Sequence, residues 1–394
     1  MGLVLFVGMD FAVGWLVAWR IFHPFPREAS YLERSETLGF RPIPGSSTRV
    51  DDAEFPGGTI ILQRNDQRLR RDDEVAVPKP ADTLRVLVIG DSHTDGMADN
   101  AETYPAQLQA ELRAHGRPNA EALNAGVGRY SPHQCLVMLR EDLLRFEPDV
   151  VIAALYVGND LLDLLRPDDR PHLVLVDGAV EERPPEFVAF AQGPLDFWRR
   201  RSLLYRFYRD RFDLLVERAW QTIGMVQSLG GSWTDGTALL KKLHGCGDRP
   251  LLSQSLMQTA VFAKYPQAET RAMALLGYVV EQHLALARQH GYDLRFLLVP
   301  TRVQVEPQRV QDRVDRAVTA LELDASAAHF DDRLHNELLH LLGEHGGRVV
   351  DPRAAMREAA AGTEPLYWNL DDHVNARGCA VLGRVLAEDL ADLP

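Results

Sequence analysis

Short, unbroken runs of aliphatic residues recur from residue 85 onward, and each run ends in a turn. The runs are Arg85–Ile89, Ala122–Gly126, Asp149–Val157, Leu294–Val299 and Arg348–Val350. Segments with helical spacing of apolar residues lie between them, at 104–115, 136–146 and 272–290. Strands of a parallel sheet have this unbroken apolar character because helices cover both faces of the sheet. The pattern therefore predicts an α/β fold, a three-layer α/β/α sandwich around a mainly parallel sheet.

The chain before residue 83 has a different character. Residues 1–22 are apolar apart from Asp10 and Arg20 and just reach the length of about 20 residues that a membrane-spanning helix needs. We expect a membrane anchor here, although Asp10 near the middle opposes insertion. A signal peptide and a hydrophobic helix packed on the protein remain as alternatives. Residues 23–82 are rich in proline, glycine and charge around one alternating run, Thr59–Gln63, which indicates an extended connector.

Residues 166–268 also break the alternation of strand and helix. They contain a hairpin signal with Asp177 and Gly178 at its turn, followed by an amphipathic helix over 197–220 with a basic face. We interpret this stretch as a mostly helical insertion, which is a lid over one end of the sheet, a structural appendage, or an element that contacts a partner or a membrane. The main domain then comprises 83–165 and 269–394.

Composition excludes several classes of protein. The chain has 43 Lys and Arg against 56 Asp and Glu, a net charge of −13, which argues against a general nucleic-acid binder. Its three cysteines, Cys135, Cys246 and Cys379, form no C-x-x-C pair, so we expect neither a structural zinc site nor a thioredoxin-type redox centre. Three free buried thiols, or one disulfide and one thiol, remain open.

Polar motifs follow the predicted strands. They are Gly90–Gly96 (GDSHTDG), Asn124–Ser131 (NAGVGRYS), Gly158–Asp160 (GND) and Asp371–Asn375 (DDHVN). Parallel α/β sheets bind ligands beyond the carboxyl ends of their strands, where these motifs are expected to meet. Ser92 is the candidate nucleophile, and a serine hydroxyl needs a base to take its proton. An isolated serine in this position more often caps a helix, but here the other turns supply partners.

These four blocks, in this order and spacing, resemble the motifs of the SGNH (GDSL-like) hydrolase family. The D-x-H ending and the anchor-and-connector layout resemble members related to alginate O-acetylation proteins. The resemblance covers residues 83–165 and the chain from about residue 270 to its end. It implies an SGNH/flavodoxin-like sandwich that acts on an ester without a cofactor or a metal ion.

The resemblance also implies roles for individual residues. Ser92 is the nucleophile, His373 its general base, and Asp371 the acid that orients the imidazole, with Asp372 as the alternative. The oxyanion would be held by the N–H of Ser92, an N–H of the second block and the Asn159 amide. The second-block donor is assigned to Gly128 or Arg129, and further pocket candidates are Asp91, His93, Asp160 and Asp372.

Two positions depart from the family pattern. The family's second-block glycine falls on Arg129, whose side chain would narrow or charge the mouth of the pocket. The commoner D-x-x-H spacing would place the acid at Leu370, which cannot serve. We therefore assign the acid to Asp371, two residues before the histidine.

The leading interpretation is a serine esterase that acts on a small-molecule or glycan ester through an acyl-serine intermediate. An O-acyltransferase to a glycan uses the same residues. A catalytically silent carbohydrate-binding protein, favoured by Arg129, and a lipase or thioesterase also remain open. We expect membrane attachment through residues 2–22, an extracytoplasmic catalytic domain and no nucleic-acid partner.

Overall fold

The computed structural model describes residues 31–166, 170–185, 254–323, 332–369 and 372–393, together with Val226, Asp235 and Ala238. The predicted anchor, the helix expected over 197–220, Cys246 and Asp371 lie outside these residues. Among the helices that are described, none combines the length and apolarity needed to cross a bilayer.

Eleven strands are described, and most of the predicted ones begin and end within one or two residues of the apolar runs. In chain order they are β1 (Leu32–Ser35), β2 (Gly39–Pro42), β3 (Ser47–Asp51), β4 (Thr59–Gln63), β5 (Arg85–Ile89), β6 (Glu121–Asn124), β7 (Val150–Tyr156), β8 (His172–Val176), β9 (Ala179–Arg183), β10 (Asp293–Val299) and β11 (Arg348–Val350).

The described helices follow the strands in alternation. They are α1 (Ser92–Asp95), α2 (Tyr104–Ala114), α3 (Pro132–Glu141), α4 (Asp160–Asp163), α5 (Gln254–Lys264), α6 (Pro266–His290), α7 (Arg302–Val305), α8 (Pro307–Leu321), α9 (Arg333–Glu344), α10 (Arg353–Ala360) and α11 (Ala376–Asp389). Short 3-10 turns cover Pro56–Gly58, Asn100–Glu102 and Leu143–Phe146.

A five-stranded parallel sheet forms the centre of the fold, in the order β11-β10-β7-β5-β6. The first strand of this sheet along the chain, β5, therefore lies between the second and the third. This is the strand order of doubly wound, flavodoxin-like sheets, in which the connections leave β5 and β7 in opposite directions. Such a switch point opens a crevice at the carboxyl ends of these two strands.

Helices cover both faces of the sheet, and alternate residues of each strand pack on opposite sides. Val86 and Val88 pack with α2, α10 and α11, whereas Leu87 and Ile89 pack with α3 and α6. All four side chains are fully buried, which is why these four positions are aliphatic. The predicted three-layer α/β/α sandwich is confirmed.

The expectation of an extended connector over 23–82 is wrong for the part that is described. Strands β1 and β2 form one antiparallel hairpin, and β3 and β4 form another. Leu38, Phe40 and Leu69 are buried in the larger core cluster. Proline and glycine in this stretch mark tight turns between very short strands, and a composition-based prediction does not distinguish such turns from a linker.

Two elements of the predicted insertion are described. Strands β8 and β9 pair around a turn at Asp177 and Gly178, both with positive φ, as the sequence predicted. Helix α5 and the hairpin join the larger core through Leu173, Val261 and Phe262. Whether the rest of 166–268 forms a lid stays a prediction.

Candidate active site

Three polar turns meet at the carboxyl edge of the sheet, around the switch point. Ser92 begins α1 directly after β5, and Asn159 precedes α4 directly after β7. His373 lies in the loop that leads into α11. Asp91 caps α1, because its Oδ1 accepts the backbone N–H of His93 at 2.9 Å. The cap fixes the turn that presents Ser92.

Ser92 and His373 are in hydrogen-bond contact although 281 positions separate them in the chain. The Ser92 Oγ lies 2.8 Å from the His373 Nε2. Both side chains are half-buried, so the pair is desolvated on one side and open on the other. This distance allows direct proton transfer from the hydroxyl to the imidazole, which is the requirement for activating a serine.

The imidazole of His373 is held in a stack of three rings. It stacks on His93 with 4.7 Å between centroids and 29° between planes, and His93 stacks on Tyr156 at 3.7 Å and 26°. Burial, reinforced by the nearby His373, lowers the pKa of His93 well below its ordinary value. His93 is therefore a neutral, rigid surface that fixes the plane of the His373 ring.

The loop that carries His373 folds back on itself. Tyr367 and Val374 form an antiparallel bridge, and the backbone N–H of Trp368 donates to the His373 carbonyl at 2.9 Å. The Trp368 indole N–H donates to the Met97 carbonyl at 2.8 Å. This last bond connects the histidine loop directly to the chain that follows the nucleophile turn.

The structure gives Asp372 a function away from the imidazole. Its Oδ1 accepts from Arg302 Nη1 and Arg313 Nη1, each at 3.1 Å, and its φ is +61°. The carboxylate thus ties the histidine loop to α7 and α8. Asp371, the predicted orienting acid, lies outside the described residues, so its role stays a prediction.

Asn159 is buried beside the switch point, and its amide has a defined orientation. Its Nδ2 donates to Asp163 Oδ2 at 2.8 Å, which uses one of its two N–H groups. The preceding Gly158 leaves no room for a side chain, because an added Cβ would lie 2.5 Å from the Tyr156 ring. The glycine therefore lets the Asn159 turn pass under the ring that supports His93.

The second block lies against the nucleophile turn. A Cβ added to Gly128 would lie 3.8 Å from the Ser92 Cβ. The Gly128 N–H donates to Asp95 Oδ2 at 3.2 Å, so it is not directed at a substrate. Arg129 has a φ of +74°, the conformation for which glycine is favoured, and its guanidinium lies over the Phe40 ring at 5.2 Å. The backbone keeps the glycine-like shape although the residue is arginine.

Three buried carboxyl groups surround this centre, on Asp91, Asp160 and Asp163. Burial raises the pKa of Asp91 to about 6, and Asp163 adds to the shift, whereas the His93 N–H and His373 oppose it. Burial and the charge of Asp91 raise the pKa of Asp160 well above its ordinary value. Asp163 forms an ion pair with Arg166 at 2.8 Å. The site therefore holds two carboxyl groups, those of Asp91 and Asp160, that ionise less readily than ordinary aspartates.

Within the described ranges, no group of three or more His, Cys, Asp or Glu residues is arranged to hold a metal ion. Of the cysteines, Cys135 and Cys379 are free and buried on opposite faces of the sheet.

The sequence analysis did not select two arginines that bond Asp372 at the site, Arg302 and Arg313. Arg302 follows β10 as the polar motifs follow β5 and β7, so its position at a strand end was the available signal. A single arginine without a motif around it carries too little information to be selected on that ground.

No family model matches the chain, and no curated protein matches it by sequence. Similar solved structures include LAE5, an alpha/beta hydrolase enzyme from the metagenome of Lake Arreo, Spain, with 14% identity, 79% of this chain and 96% of that chain covered, and a TM-score of 0.36. They also include Axe2, an acetylxylan esterase from Geobacillus stearothermophilus, with 14% identity, 78% and 93% coverage, and a TM-score of 0.36. Similarity at this level says nothing about which reaction this chain performs.

Proposed function

We propose that this chain is a serine esterase of the SGNH type, which cleaves an ester through an acyl-serine intermediate. The observation that carries the proposal is the 2.8 Å contact between Ser92 Oγ and His373 Nε2 at the switch point of the sheet. A serine and a histidine so far apart in the chain meet at the ligand-binding edge of a parallel sheet, where a nucleophile and its base are needed.

In the first half-reaction, Ser92 Oγ attacks the ester carbonyl carbon and its proton passes to His373 Nε2. The tetrahedral intermediate then collapses: the bond to the alcohol oxygen breaks, and the imidazolium returns its proton to that oxygen. In the second half-reaction, His373 takes a proton from the acyl acceptor as the acceptor attacks the acyl-serine carbonyl carbon. The bond from that carbon to Ser92 Oγ then breaks, and the imidazolium returns the proton to Ser92 Oγ. The stack of His93 and Tyr156 keeps the imidazole in one plane throughout both steps.

Three donors are assigned to the negative charge that develops on the carbonyl oxygen. They are the Ser92 N–H, the Arg129 N–H and the Asn159 side-chain amide. Gly128 is replaced by Arg129 in this assignment because the Gly128 N–H already donates to Asp95. Each donor aimed at the oxyanion contributes about 3 kcal/mol to lowering the barrier.

The identity of the acceptor separates two activities. Water as acceptor makes the chain an esterase, and a sugar hydroxyl makes it an O-acyltransferase. We propose O-acyl groups of a carbohydrate as the substrate, supported by the D-x-H ending of the last block. Release of acetate and transfer of acetyl to a glycan, measured in the same reaction, distinguish the two activities.

A catalytically silent binding protein is the interpretation that Arg129 favours in the sequence. The guanidinium lies over Phe40, and the residue keeps its glycine-like backbone. Arg129 can therefore present its backbone N–H as a glycine would, and its presence is compatible with an active enzyme.

Labelling with a fluorophosphonate probe tests the proposal. We expect the wild-type chain to be labelled, Ser92→Ala to be unlabelled, and His373→Ala to be labelled about a thousandfold more slowly because its serine lacks a base. Ser47→Ala, which changes an exposed serine of the β3–β4 hairpin, is the matched control and should label as the wild type does. Equal labelling of wild type and Ser92→Ala would refute the nucleophile assignment.

A further inference from the structure

The N-terminal segment, defined here as residues 31–70, reaches the wall of the active site. Its two hairpins pack on the main domain, and three of its side chains, Tyr31, Arg64 and Arg70, converge on Asp95. Asp95 is the last residue of α1, three positions after the nucleophile. The contact therefore joins a stretch expected to be a connector to the helix that presents Ser92.

The Asp95 carboxylate contacts groups from two parts of the chain, the N-terminal segment and the second block. Its Oδ1 lies 2.8 Å from Arg64 Nη2 and 3.4 Å from Arg70 Nε. Its Oδ2 accepts the Gly128 N–H at 3.2 Å, and the charge of the carboxylate contributes to the raised pKa of the nearby Tyr31 hydroxyl. The carboxylate thus bridges the N-terminal segment and the second block.

Arg64 makes a second connection in the same direction. Its Nη2 also donates to the Gly126 carbonyl at 2.9 Å. Gly126 is itself pressed on α1, because an added Cβ would lie 2.3 Å from the Asp95 backbone nitrogen. The start and the middle of the second block are therefore both fixed by groups that depend on the N-terminal segment.

Arg64, Arg70 and Asp95 carry buried charges, so their relative positions are tightly constrained. The side chains of Arg64 and Asp95 are 2% and 6% exposed, and Arg70 is buried beside them, so removing Asp95 would leave two buried guanidinium groups without this carboxylate. Burial, followed by the charge of Asp95, raises the pKa of Tyr31, so its hydroxyl stays protonated and neutral. Its oxygen lies 2.7 Å from where a Gly128 Cβ would stand.

We propose that the N-terminal segment completes the active site, with Tyr31 and Arg64 as positioning residues for the loop from Gly126 to Arg129. This inference rests on the proposed esterase function and on the assignment of the Arg129 N–H to the oxyanion. Asp95 holds Gly128, and Gly128 sets the position of the next peptide N–H. A shift of this loop changes the binding of the transition state and leaves the binding of the ground-state ester unchanged.

Tyr31→Phe is the most direct test, because it removes one hydroxyl and no charge. We expect kcat to fall about tenfold with KM within twofold, since misplacement of a catalytic group acts on the transition state. The affinity for a trifluoromethyl ketone, which presents an oxyanion once Ser92 has added to it, should fall by the same factor. Tyr278→Phe removes a hydroxyl that bonds Glu182 on another face and should change neither quantity.

Arg64→Lys is the second variant, because it keeps the charge but its shorter side chain ends before the position of Nη2, the atom that donates to both Asp95 and the Gly126 carbonyl. It should reproduce the split between kcat and KM at a temperature where circular dichroism shows the chain folded. Unchanged kcat and inhibitor affinity in both variants, with an active wild type, would overturn this inference alone. A wild type without Ser92-dependent labelling would overturn the proposed function and this inference with it.

Discussion

At the scale of single residues, Ser92 lies between a base and an acid. Its hydroxyl oxygen is 2.8 Å from His373 Nε2 and 3.5 Å from Asp91 Oδ2. The carboxyl group of Asp91 is buried, faces His373, Asp160 and Asp163, and has a pKa raised to about 6, chiefly by burial. Above that pH its charge favours the protonated form of the nearby imidazole. Ionised Asp91 therefore disfavours the neutral form of His373, which is the form that accepts the serine proton.

Asp91→Asn should shift the pH dependence of activity. The substitution keeps an oxygen that can cap α1 and removes the negative charge that stabilises the His373 imidazolium. We expect the acid limb of kcat/KM against pH to move down by about half to one pH unit. A limb that stays in place or moves up would contradict this account. Asp177→Asn, in the exposed turn of the β8–β9 hairpin, is the control.

The residue scale also shows where sequence reasoning succeeds and where it ends. Ser92 and His373 can be selected because their motifs follow predicted strands or resemble a family block, and topology brings them together. The partners of Asp372 cannot be selected, because an aspartate next to a histidine has no sequence signal that distinguishes a bond to imidazole from a bond to arginine. That choice depends on the position of α7 and α8, which is set by the whole fold.

At the scale of elements, the histidine loop is held by two helices that contribute nothing to the chemistry. Arg302 of α7 donates to the Trp368 carbonyl and to Asp372, and Arg313 of α8 donates to Asp372 and to the Asn369 carbonyl. Arg302 is 2% exposed, so these bonds form away from water. The described residues of this loop form no regular secondary structure beyond the Tyr367–Val374 bridge, and hydrogen bonds from these arginines hold it instead.

Asp372→Asn should therefore weaken catalysis without weakening substrate binding. The amide keeps one acceptor but loses the charge that holds two guanidinium groups, and the histidine loop shifts relative to Ser92. We expect kcat to fall about tenfold to a hundredfold with little change in KM. Asp51→Asn breaks an exposed ion pair with Arg49 and should be silent in the same assay. Equal kinetics in both variants would show that the arginines do not position His373.

The elements themselves are predicted unequally well, for a physical reason. Strands β5, β7 and β10 are buried on both faces, so their sequences are apolar apart from Asp293 and the buried Arg85 and Arg295. The strands before residue 64 have four or five residues each, and β3 and β4 alternate more exposed with buried positions whereas β1 and β2 do not. Only Thr59–Gln63 shows that alternation in the sequence, because turns and arginines interrupt the others.

At the scale of the whole molecule, the fold separates two kinds of carboxyl group. Asp91 lies at the switch point, where burial raises its pKa to about 6 although the His93 N–H and His373 oppose the shift. Asp351 follows the edge strand β11, where His335 Nε2 lies 3.2 Å from its Oδ1 and Arg353 donates to it through its backbone and side chain. Burial alone would raise the pKa of Asp351, but these bonds hold it below the ordinary value.

The two groups therefore change stability with pH in opposite directions. The pKa of Asp91 is raised in the folded state, so its contribution to the free energy of unfolding is lost as pH rises from about 4 through about 6. The loss amounts to about 3 kcal/mol. A lowered pKa means that the contribution of Asp351 is present above about pH 4 and is lost as pH falls through its folded value. Ionisation of Asp91 at the site thus lowers the stability of the fold, whereas ionisation of Asp351 at the edge of the sheet raises it.

Paired denaturation experiments test this separation. Urea unfolding of Asp351→Asn should show a lower free energy of unfolding than wild type at pH 7, and the difference should shrink as pH falls below about 4. For Asp91→Asn the free energy should instead rise relative to wild type between pH 4 and pH 7, because the variant has no buried charge to form. Since Asp351 is remote from the nucleophile, its variant should keep wild-type kcat, whereas Asp91→Asn alters the pH profile. If the free energy of unfolding changed with pH in the same way in the two variants, the fold would not oppose the ionisation of Asp91. The ionised carboxyl group of Asp91 would then be stabilised as that of Asp351 is.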